Sequence, residues 1–191
     1  MLLEREGLTI RVEACDGQEA VRLAGTIHPD LAVLDLAMPT LNGLDAARQI
    51  VKVSPRTKTI ILTMYTEDHF VTGALQAGVR GYVIKTQAAQ DLIAAIRTVS
   101  LGQIYLSPGV SGALVDAYLT RTYANADPLT PRERQILQLV AEGRTSKEIA
   151  TLLDLGVKSV ESYRTRVMQK LEIHNTAGLV RYAIRRGLIQ A

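Results

Sequence analysis

Hydrophobic and polar positions in the N-terminal half of the chain alternate between strand-like runs and segments with helical spacing. Runs of strand length, apolar or alternating, occur at 8–14, 31–36, 59–63 and 81–84. A segment in which apolar residues recur every three or four positions follows each run, at 17–26, 43–53, 68–77 and 89–99. Because predicted strands and helices alternate, the pattern indicates a parallel α/β sheet.

The C-terminal part of the chain shows helical spacing only. Thr130, followed by Pro131, is typical of a helix start, because Thr caps a helix and Pro fits its first position. Residues 146–153 and a longer segment from 157 predict two further helices. The turn between them contains Gly156, which tolerates backbone angles that other residues avoid. This arrangement predicts a helix-turn-helix, with an unrelated pair of amphipathic helices as the alternative.

The second of these two helices has an apolar face and a polar face. Val160, Val167 and Leu171 repeat at helical spacing, so we expect them in the core. Side chains on the opposite face can hydrogen-bond to phosphates or base edges. The residues expected to contact DNA are Lys158, Ser159, Glu161, Ser162, Thr165, Arg166 and Gln169, together with Thr145, Ser146 and Lys147 at the start of the preceding helix.

Three polar residues, Asp35, Thr63 and Lys85, lie at the ends of predicted strands. The carboxyl ends of parallel strands meet at one edge of a sheet, where ligands bind. An Asp there can act as a nucleophile, a Lys can neutralise it, and a Thr hydroxyl can bond to added oxygens. The three residues therefore suggest a phosphoryl acceptor site, although ordinary strand-end polar residues would give the same pattern.

The motifs around these residues resemble the receiver domain of two-component response regulators. They are Asp35-Leu36-Ala37-Met38-Pro39, then Gly43, Thr63 and Tyr82-Val83-Ile84-Lys85. The resemblance implies a flavodoxin-like fold and phosphorylation of Asp35 by a sensor histidine kinase. It also implies switch roles for Thr63, Tyr82 and Lys85. A Mg²⁺ ion would be held by Asp35 and the backbone carbonyl of Ala37.

Residues 129–150 and 157–189 resemble the DNA-binding domain of NarL/LuxR-type (FixJ-like) transcription regulators. The resemblance implies four helices, the third of which enters the major groove of double-stranded operator DNA. Homodimers are expected, with RNA polymerase as a further partner; Leu179, Val180 and Ala183 offer either a dimer face or core. Ser146 replaces a common Asn and Gly156 a capping Ser. Gly is the weaker cap by only roughly a few tenths of a kcal/mol, so DNA binding is still expected.

The predicted organisation is a receiver domain at 1–103, a linker at 104–126 with a connecting helix at 108–121, and a helix-turn-helix domain at 127–191. The formal net charge of +3 is unevenly distributed. Residues 1–100 hold 10 Lys and Arg against 11 Asp and Glu, whereas residues 101–191 hold 12 against 8. The positive charge therefore lies with the predicted DNA-binding domain, as phosphate contacts require.

Composition argues against several other classes of protein. A single cysteine, Cys15, excludes an internal disulfide and suits a reducing cytoplasm, and no apolar run suggests a membrane span or signal peptide. An aspartyl-phosphate hydrolase normally has a second Asp two positions after the first, where this chain has Ala37, so we expect no enzyme. A DNA-binding regulator that does not depend on phosphorylation remains the alternative.

One part of the receiver pattern is missing from the chain. Receivers begin with a central strand that ends in an acidic pair and holds Mg²⁺, and Glu4, Glu6 and Asp16 do not follow a strand at that place. We expect upstream codons to encode this strand, with a degenerate receiver as the alternative. The 191-residue chain should then show no Mg²⁺-dependent phosphorylation.

Overall fold

The computed structural model describes residues 6–110 and 127–190. The N-terminal domain is a parallel sheet of order β1-β2-β3-β4 with helices between the strands, which confirms the predicted α/β class. Its elements are α1 (Gly17–Ile27), β1 (Leu31–Asp35), α2 (Gly43–Val53), β2 (Lys58–Thr63), α3 (Asp68–Gln76), β3 (Gly81–Ile84), a 3₁₀ turn (Lys85–Gln87), α4 (Ala88–Ser100) and β4 (Tyr105–Leu106).

Hydrophobic side chains cover both faces of this sheet. Ile60 and Ile61 are adjacent in β2 and both are fully buried. Neighbouring strand residues point to opposite faces, so β2 is covered on both sides. Ile61 belongs to the cluster beneath α1, α2 and α3, and Ile60 packs with Val83 against α4. This burial explains why the central strands are continuous apolar runs.

The strand predicted at 8–14 is wrong, because these residues have no regular secondary structure and are mostly exposed. A strand persists only where its backbone groups find a hydrogen-bonding neighbour, and within 6–110 and 127–190 no strand pairs with this segment. Strand β4 was not predicted; its two residues extend the sheet beside β3. Residues 108–110 form a turn, and the rest of the predicted connecting helix lies outside the described residues.

The C-terminal domain consists of four helices, as predicted: α5 (Pro131–Ala141), α6 (Ser146–Leu153), α7 (Val157–Leu171) and α8 (Thr176–Arg185). Helix α5 begins with a capping box in which Thr130 and Glu133 exchange hydrogen bonds. Lys170 of α7 donates a hydrogen bond to the same Glu133 carboxylate over 2.7 Å. The start of α5 is thereby joined to the end of α7.

The turn between α6 and α7 differs from its prediction. Asp154, and not Gly156, adopts the left-handed conformation, with a φ of 52°. Gly156 has a φ of −73° and an extended backbone, and it is the residue that precedes the first turn of α7. Asp tolerates the left-handed region better than most residues, so it ends α6 without a glycine.

Gly43 lets the start of α2 lie close to the end of β1. A Cβ atom at this position would lie 2.1 Å from the carbonyl oxygen of Asp35, and the Gly43 amide donates to the Leu36 carbonyl over 2.8 Å. We expect Gly43→Ala to lower the free energy of unfolding by about 1–3 kcal/mol, because the backbone itself must move. Gly25→Ala is the control, since its Cβ would meet Val53 at an ordinary 3.5 Å. Urea unfolding should separate the two; equal stability would contradict the contact.

Val167 tests the packing of the C-terminal domain. Its side chain is 1% exposed and packs in a cluster with Val160, Ile136 and Ile149. Val167→Asp would bury an unpaired charge, which costs more than a small domain can lose, so we expect this domain to unfold. Val157→Asp is the control, because Val157 is 39% exposed in the first turn of α7, where an acidic residue is favourable. A cooperative, near-wild-type thermal transition by circular dichroism for Val167→Asp would refute this packing.

Candidate functional sites

The carboxyl edge of the parallel sheet brings Asp35 and Lys85 together. Asp35 ends β1, Lys85 follows β3, and β2 lies between these strands. The Lys85 ammonium donates a hydrogen bond to Asp35 Oδ2, and the Ala37 amide donates to Oδ1 over 3.3 Å. Both charged side chains are 32% exposed. The carboxylate is therefore paired with a cation and still accessible to a reagent from solvent.

Thr63 of β2 and Tyr82 of β3 share a hydrogen-bonding partner. Thr63, at the end of β2, is fully buried, and its hydroxyl oxygen accepts a hydrogen bond from the Tyr65 amide over 3.2 Å. The Tyr82 hydroxyl donates to the Tyr65 carbonyl over 2.9 Å. Burial, followed by the nearby charge of Glu67, raises the pKa of Tyr82 far above its ordinary value, so the phenol stays neutral. Backbone atoms of Tyr65 thus connect the two predicted switch residues.

The residues present do not by themselves complete a Mg²⁺ site. Mg²⁺ requires near-octahedral oxygen coordination, for which the resemblance offers Asp35 and the carbonyl of Ala37. Elsewhere, Asp16 caps α1 and Glu6 pairs with Arg97. Among the residues that the structure describes, no group of three or more His, Cys, Asp or Glu could hold a metal ion. The chemistry below is therefore derived from the protein side chains alone.

Helix α7 presents one polar face to solvent, opposite the buried Val160 and Val167. Leu171, expected in the core, is only half-buried. The guanidinium of Arg166 lies 4.4 Å from the centre of the Tyr163 ring, which holds it close to the helix. The exposed residues on and beside this face include all those predicted on the second helix: Lys158, Ser159, Glu161, Ser162, Thr165, Arg166 and Gln169.

The three residues predicted to hold phosphates at the start of α6 have different surroundings. Lys147 is exposed. The Thr145 hydroxyl caps α6 by accepting from the Glu148 amide over 3.3 Å, and Glu148 accepts hydrogen bonds in return. Ser146 is half-buried, and its hydroxyl accepts a hydrogen bond from Arg164 of α7 over 3.0 Å. Sequence spacing did not identify Arg164, because a charged residue on a helix gives no signal of what it contacts.

Helix α8 packs into the C-terminal core through residues that were considered for a dimer face. Leu179 is 1% exposed and Ala183 is fully buried. Val180 is half-buried. The first two therefore serve the core of this domain, which leaves Val180 as the most accessible of the three. Separately, no helix within 6–110 or 127–190 is both long and apolar enough to cross a bilayer.

Comparison with known proteins agrees with this geometry. A model of the response regulator receiver domain matches residues 1–97, and a model of bacterial regulatory proteins of the luxR family matches residues 127–183. The oxygen regulatory protein NreC of Staphylococcus carnosus is 39% identical over 184 residues, covering 92% of this chain and 85% of NreC. The response regulator UvrY of Escherichia coli is 35% identical, covering 100% and 88%.

A solved structure that covers most of this chain is also similar. It is RcsB from Salmonella enterica serovar Typhimurium, bound to the promoter rprA in the presence of the phosphomimetic BeF₃⁻. The TM-score is 0.55 at 26% identity, over 94% of this chain and 88% of RcsB. Because both family models match in this order and close relatives span nearly the whole chain, the chain belongs to the LuxR family of two-component response regulators, in which a receiver domain precedes a helix-turn-helix DNA-binding domain.

Proposed function

We propose that this chain regulates transcription by binding operator DNA as a homodimer, and that phosphorylation of Asp35 by a sensor histidine kinase switches it when two further acidic residues complete the Mg²⁺ site. The observation that carries this proposal is the accessible Asp35 carboxylate, paired with Lys85 and backed by the hydrogen bonds of Thr63 and Tyr82 to Tyr65. The proposed division is a receiver at 1–103, a linker at 104–126 and a DNA-binding domain at 127–191. A cytoplasmic location would give the chain access to both kinase and DNA.

The side chains at the edge suit phosphoryl transfer to a carboxylate. An Asp35 oxygen would attack the phosphorus of a phosphohistidine, forming an O–P bond as the N–P bond breaks and the imidazole leaves with a proton. The product adds negative charge and acceptor oxygens to a site that now holds one carboxylate. Lys85, already in contact with Asp35, would then pair with a phosphoryl oxygen.

Thr63 supplies the link from this chemistry to a conformational change. Its hydroxyl oxygen now accepts from the Tyr65 amide, so turning towards a phosphoryl oxygen would break that bond. Tyr65 would be released at its amide while its carbonyl still accepts from Tyr82. Because Tyr82 is 1% exposed, its ring can move only together with the groups packed on it. This gives a physical route from Asp35 to α3 and β3.

The α7 face is suited to the major groove of DNA. It combines Lys158 and Arg166 for phosphates or guanine with the hydroxyls of Ser162 and Thr165. The resemblance of the whole chain to RcsB, which was solved on a promoter with a phosphomimetic, supports DNA binding under phosphate control. Two copies would place two α7 helices in successive half-sites and add affinity. RNA polymerase is the further partner such a regulator would contact.

A second candidate is a regulator that binds DNA without phosphorylation. One observation favours it: within the described parts of the chain, Asp35 belongs to no group of three or more His, Cys, Asp or Glu residues that could hold a metal ion. Phosphoryl transfer between two anions normally needs a metal ion to offset their charge. The receiver would then serve only for docking or dimerisation.

Phosphorylation can distinguish these candidates. We expect acetyl phosphate with Mg²⁺ to leave the 191-residue chain unmodified, and to label Asp35 in a chain extended at its N-terminus by a strand ending in two acidic residues. In the extended chain, Asp35→Asn should abolish labelling by mass spectrometry. Asp30→Asn, at the opposite end of β1, should leave it intact. An extended chain that is folded but never labelled would favour the second candidate.

The α7 assignment predicts a loss of DNA affinity. Replacing Lys158 and Thr165 together by Ala should weaken binding by tenfold or more, because each base-edge contact contributes about 1–3 kcal/mol of discrimination. Affinity is measured by gel shift on a duplex selected with the wild-type chain. Replacing Lys52 and Thr66 by Ala makes the same chemical change at exposed receiver positions and should have little effect. Equal losses in both double variants would show that α7 is not the recognition helix.

A further inference from the structure

A buried glutamine joins the two domains. Gln138 of α5 is fully buried although its carboxamide is polar. Its Oε1 accepts a hydrogen bond from the Asn42 amide over 2.9 Å, and its Nε2 donates to the Met38 carbonyl over 2.8 Å. Both partners are backbone atoms of the receiver, four residues apart in one loop. The side chain therefore fits one conformation of that loop and would lose its bonds in another.

Two charged residues of α5 flank this glutamine. Glu142 accepts a hydrogen bond from the Thr40 amide and another from Gln138, both over 2.9 Å. Arg134 donates to Asp45 over 2.7 Å and also pairs with Asp127. Burial alone would lower the pKa of Arg134, but the charges of Asp45 and Asp127 raise it above its ordinary value. The guanidinium is therefore charged in this contact. We call Arg134, Gln138 and Glu142 the docking face.

The loop held by the docking face is the one that follows Asp35. It runs from Met38 to Asn42, and its start is tied to the acceptor by the bond from the Ala37 amide to Asp35. Within it, Thr40 has a φ of 67°, which a β-branched residue adopts only where its surroundings impose it. The Thr40 amide is one of the groups bonded to Glu142. The docking face thus supports a strained backbone directly after the acceptor.

A second contact reaches the DNA-binding domain from the switch residues. The Tyr65 ring lies 4.7 Å from the Phe70 ring of α3, measured between centroids. Phe70 packs against Gly187, after α8, so closely that a Cβ there would lie 2.7 Å from the Phe70 ring. Tyr65 is the residue whose backbone holds Thr63 and Tyr82. Two chains of contacts therefore reach the DNA-binding domain from the acceptor site: one through the loop 38–42, and one through Tyr65 and Phe70.

The docked arrangement leaves the recognition helix open. The polar α7 residues from Lys158 to Gln169 are exposed in the same structure in which Gln138 is buried. Docking therefore cannot act by covering the α7 face. What it restrains is the loop after Asp35, together with α5 and the end of α8.

We propose that α5 positions the phosphoacceptor loop. Gln138 holds the backbone of 38–42 through its hydrogen bonds to Asn42 and Met38, and these bonds couple the state of Asp35 to the docking of the two domains. The inference rests on the proposed function in that it takes Asp35 as the acceptor. By linkage, a change at Asp35 that moves the loop weakens docking, and loss of docking loosens the loop by the same coupling. The DNA-binding domain thus acts on the receiver as well as responding to it.

Loss of Gln138 tests the first half of the proposal without any phosphate. In the full chain, Gln138→Leu leaves the Asn42 amide and Met38 carbonyl without their partner. We expect tenfold faster hydrogen exchange at the amides of Thr40 and Asn42, and a larger radius of gyration by X-ray scattering. Gln135→Leu is the matched control on the same helix, because Gln135 bonds to Arg132 within its own domain. It should change neither quantity.

The same measurements can overturn the proposal. Unchanged exchange in Gln138→Leu, or faster exchange with no expansion of the chain, would show that Gln138 does not couple the loop to docking. Should Gln138→Leu fail to fold, Glu142→Ala removes only the acceptor of the Thr40 amide and of the Gln138 carboxamide. It should accelerate exchange at Thr40 at least threefold, and no acceleration would refute the role of the docking face.

A double-mutant cycle tests the coupling to Asp35. Asp35→Asn neutralises the partner of Lys85 and weakens the bond from the Ala37 amide, so we expect at least twofold faster exchange at Thr40. If the two sites are coupled, Asp35→Asn combined with Gln138→Leu should accelerate exchange by less than the product of the single effects. Independent, multiplicative effects would overturn the coupling. The phosphorylation experiment can fail or succeed whatever this cycle shows, so the two proposals are tested separately.

Discussion

The parallel pairing of β1, β2 and β3 is the constraint on which the proposed acceptor site depends. Asp35 of β1 pairs with Leu62 of β2, and Thr63 of β2 pairs with Ile84 of β3. Lys85 directly follows Ile84. This register places an acid, a hydroxyl and an ammonium on three adjacent strands at one edge. A slip of one residue in either pairing would turn side chains to the opposite face and separate Asp35 from Lys85. The close packing of Ile60 and Ile61 on opposite faces of β2 opposes such a slip, because the displaced side chains would no longer fit their neighbours.

The proposed acceptor site and the proposed DNA-binding face lie in different domains, and hydrogen bonds to backbone atoms connect the acceptor site to α5 of the second domain. Tyr65 joins Thr63 to Tyr82, and Gln138 joins the loop after Asp35 to α5. Bonds of this kind depend on main-chain conformation rather than on side-chain chemistry alone. A modification of one carboxylate can therefore affect α5 without any direct contact between Asp35 and that helix.

Sequence patterns predicted the elements whose burial is periodic. The strands that contain Ile60 and Val83, and helices such as α2 and α6, were recognisable because one face or both are apolar. The segment at 8–14 was predicted wrongly because alternation describes side chains and does not show whether a neighbouring strand exists. Strand β4 was missed because two residues carry no periodicity.

Polar contacts between residues far apart in the sequence could not be predicted from these patterns. Asp35, Thr63 and Lys85 could be found because strand ends converge in a parallel sheet. Gln138 could not, since a glutamine on an amphipathic helix has the pattern of a solvent-exposed residue, whereas here it is buried against 38–42. Arg164 was missed for the same reason.

The hydrogen bond between Glu133 and Lys170 makes the stability of the DNA-binding domain depend on pH in the acid range. Burial alone would raise the pKa of the Glu133 carboxyl, but the hydrogen bonds from Lys170 and Thr130 hold that pKa below its ordinary value. A carboxyl whose pKa is lower in the folded than in the unfolded state stabilises the fold above its unfolded pKa, and this contribution is lost as the pH falls through the folded pKa. Acidification would protonate the carboxylate that joins the start of α5 to the end of α7. The position of α7, the proposed recognition helix, is thus tied to the protonation of a carboxyl group on α5.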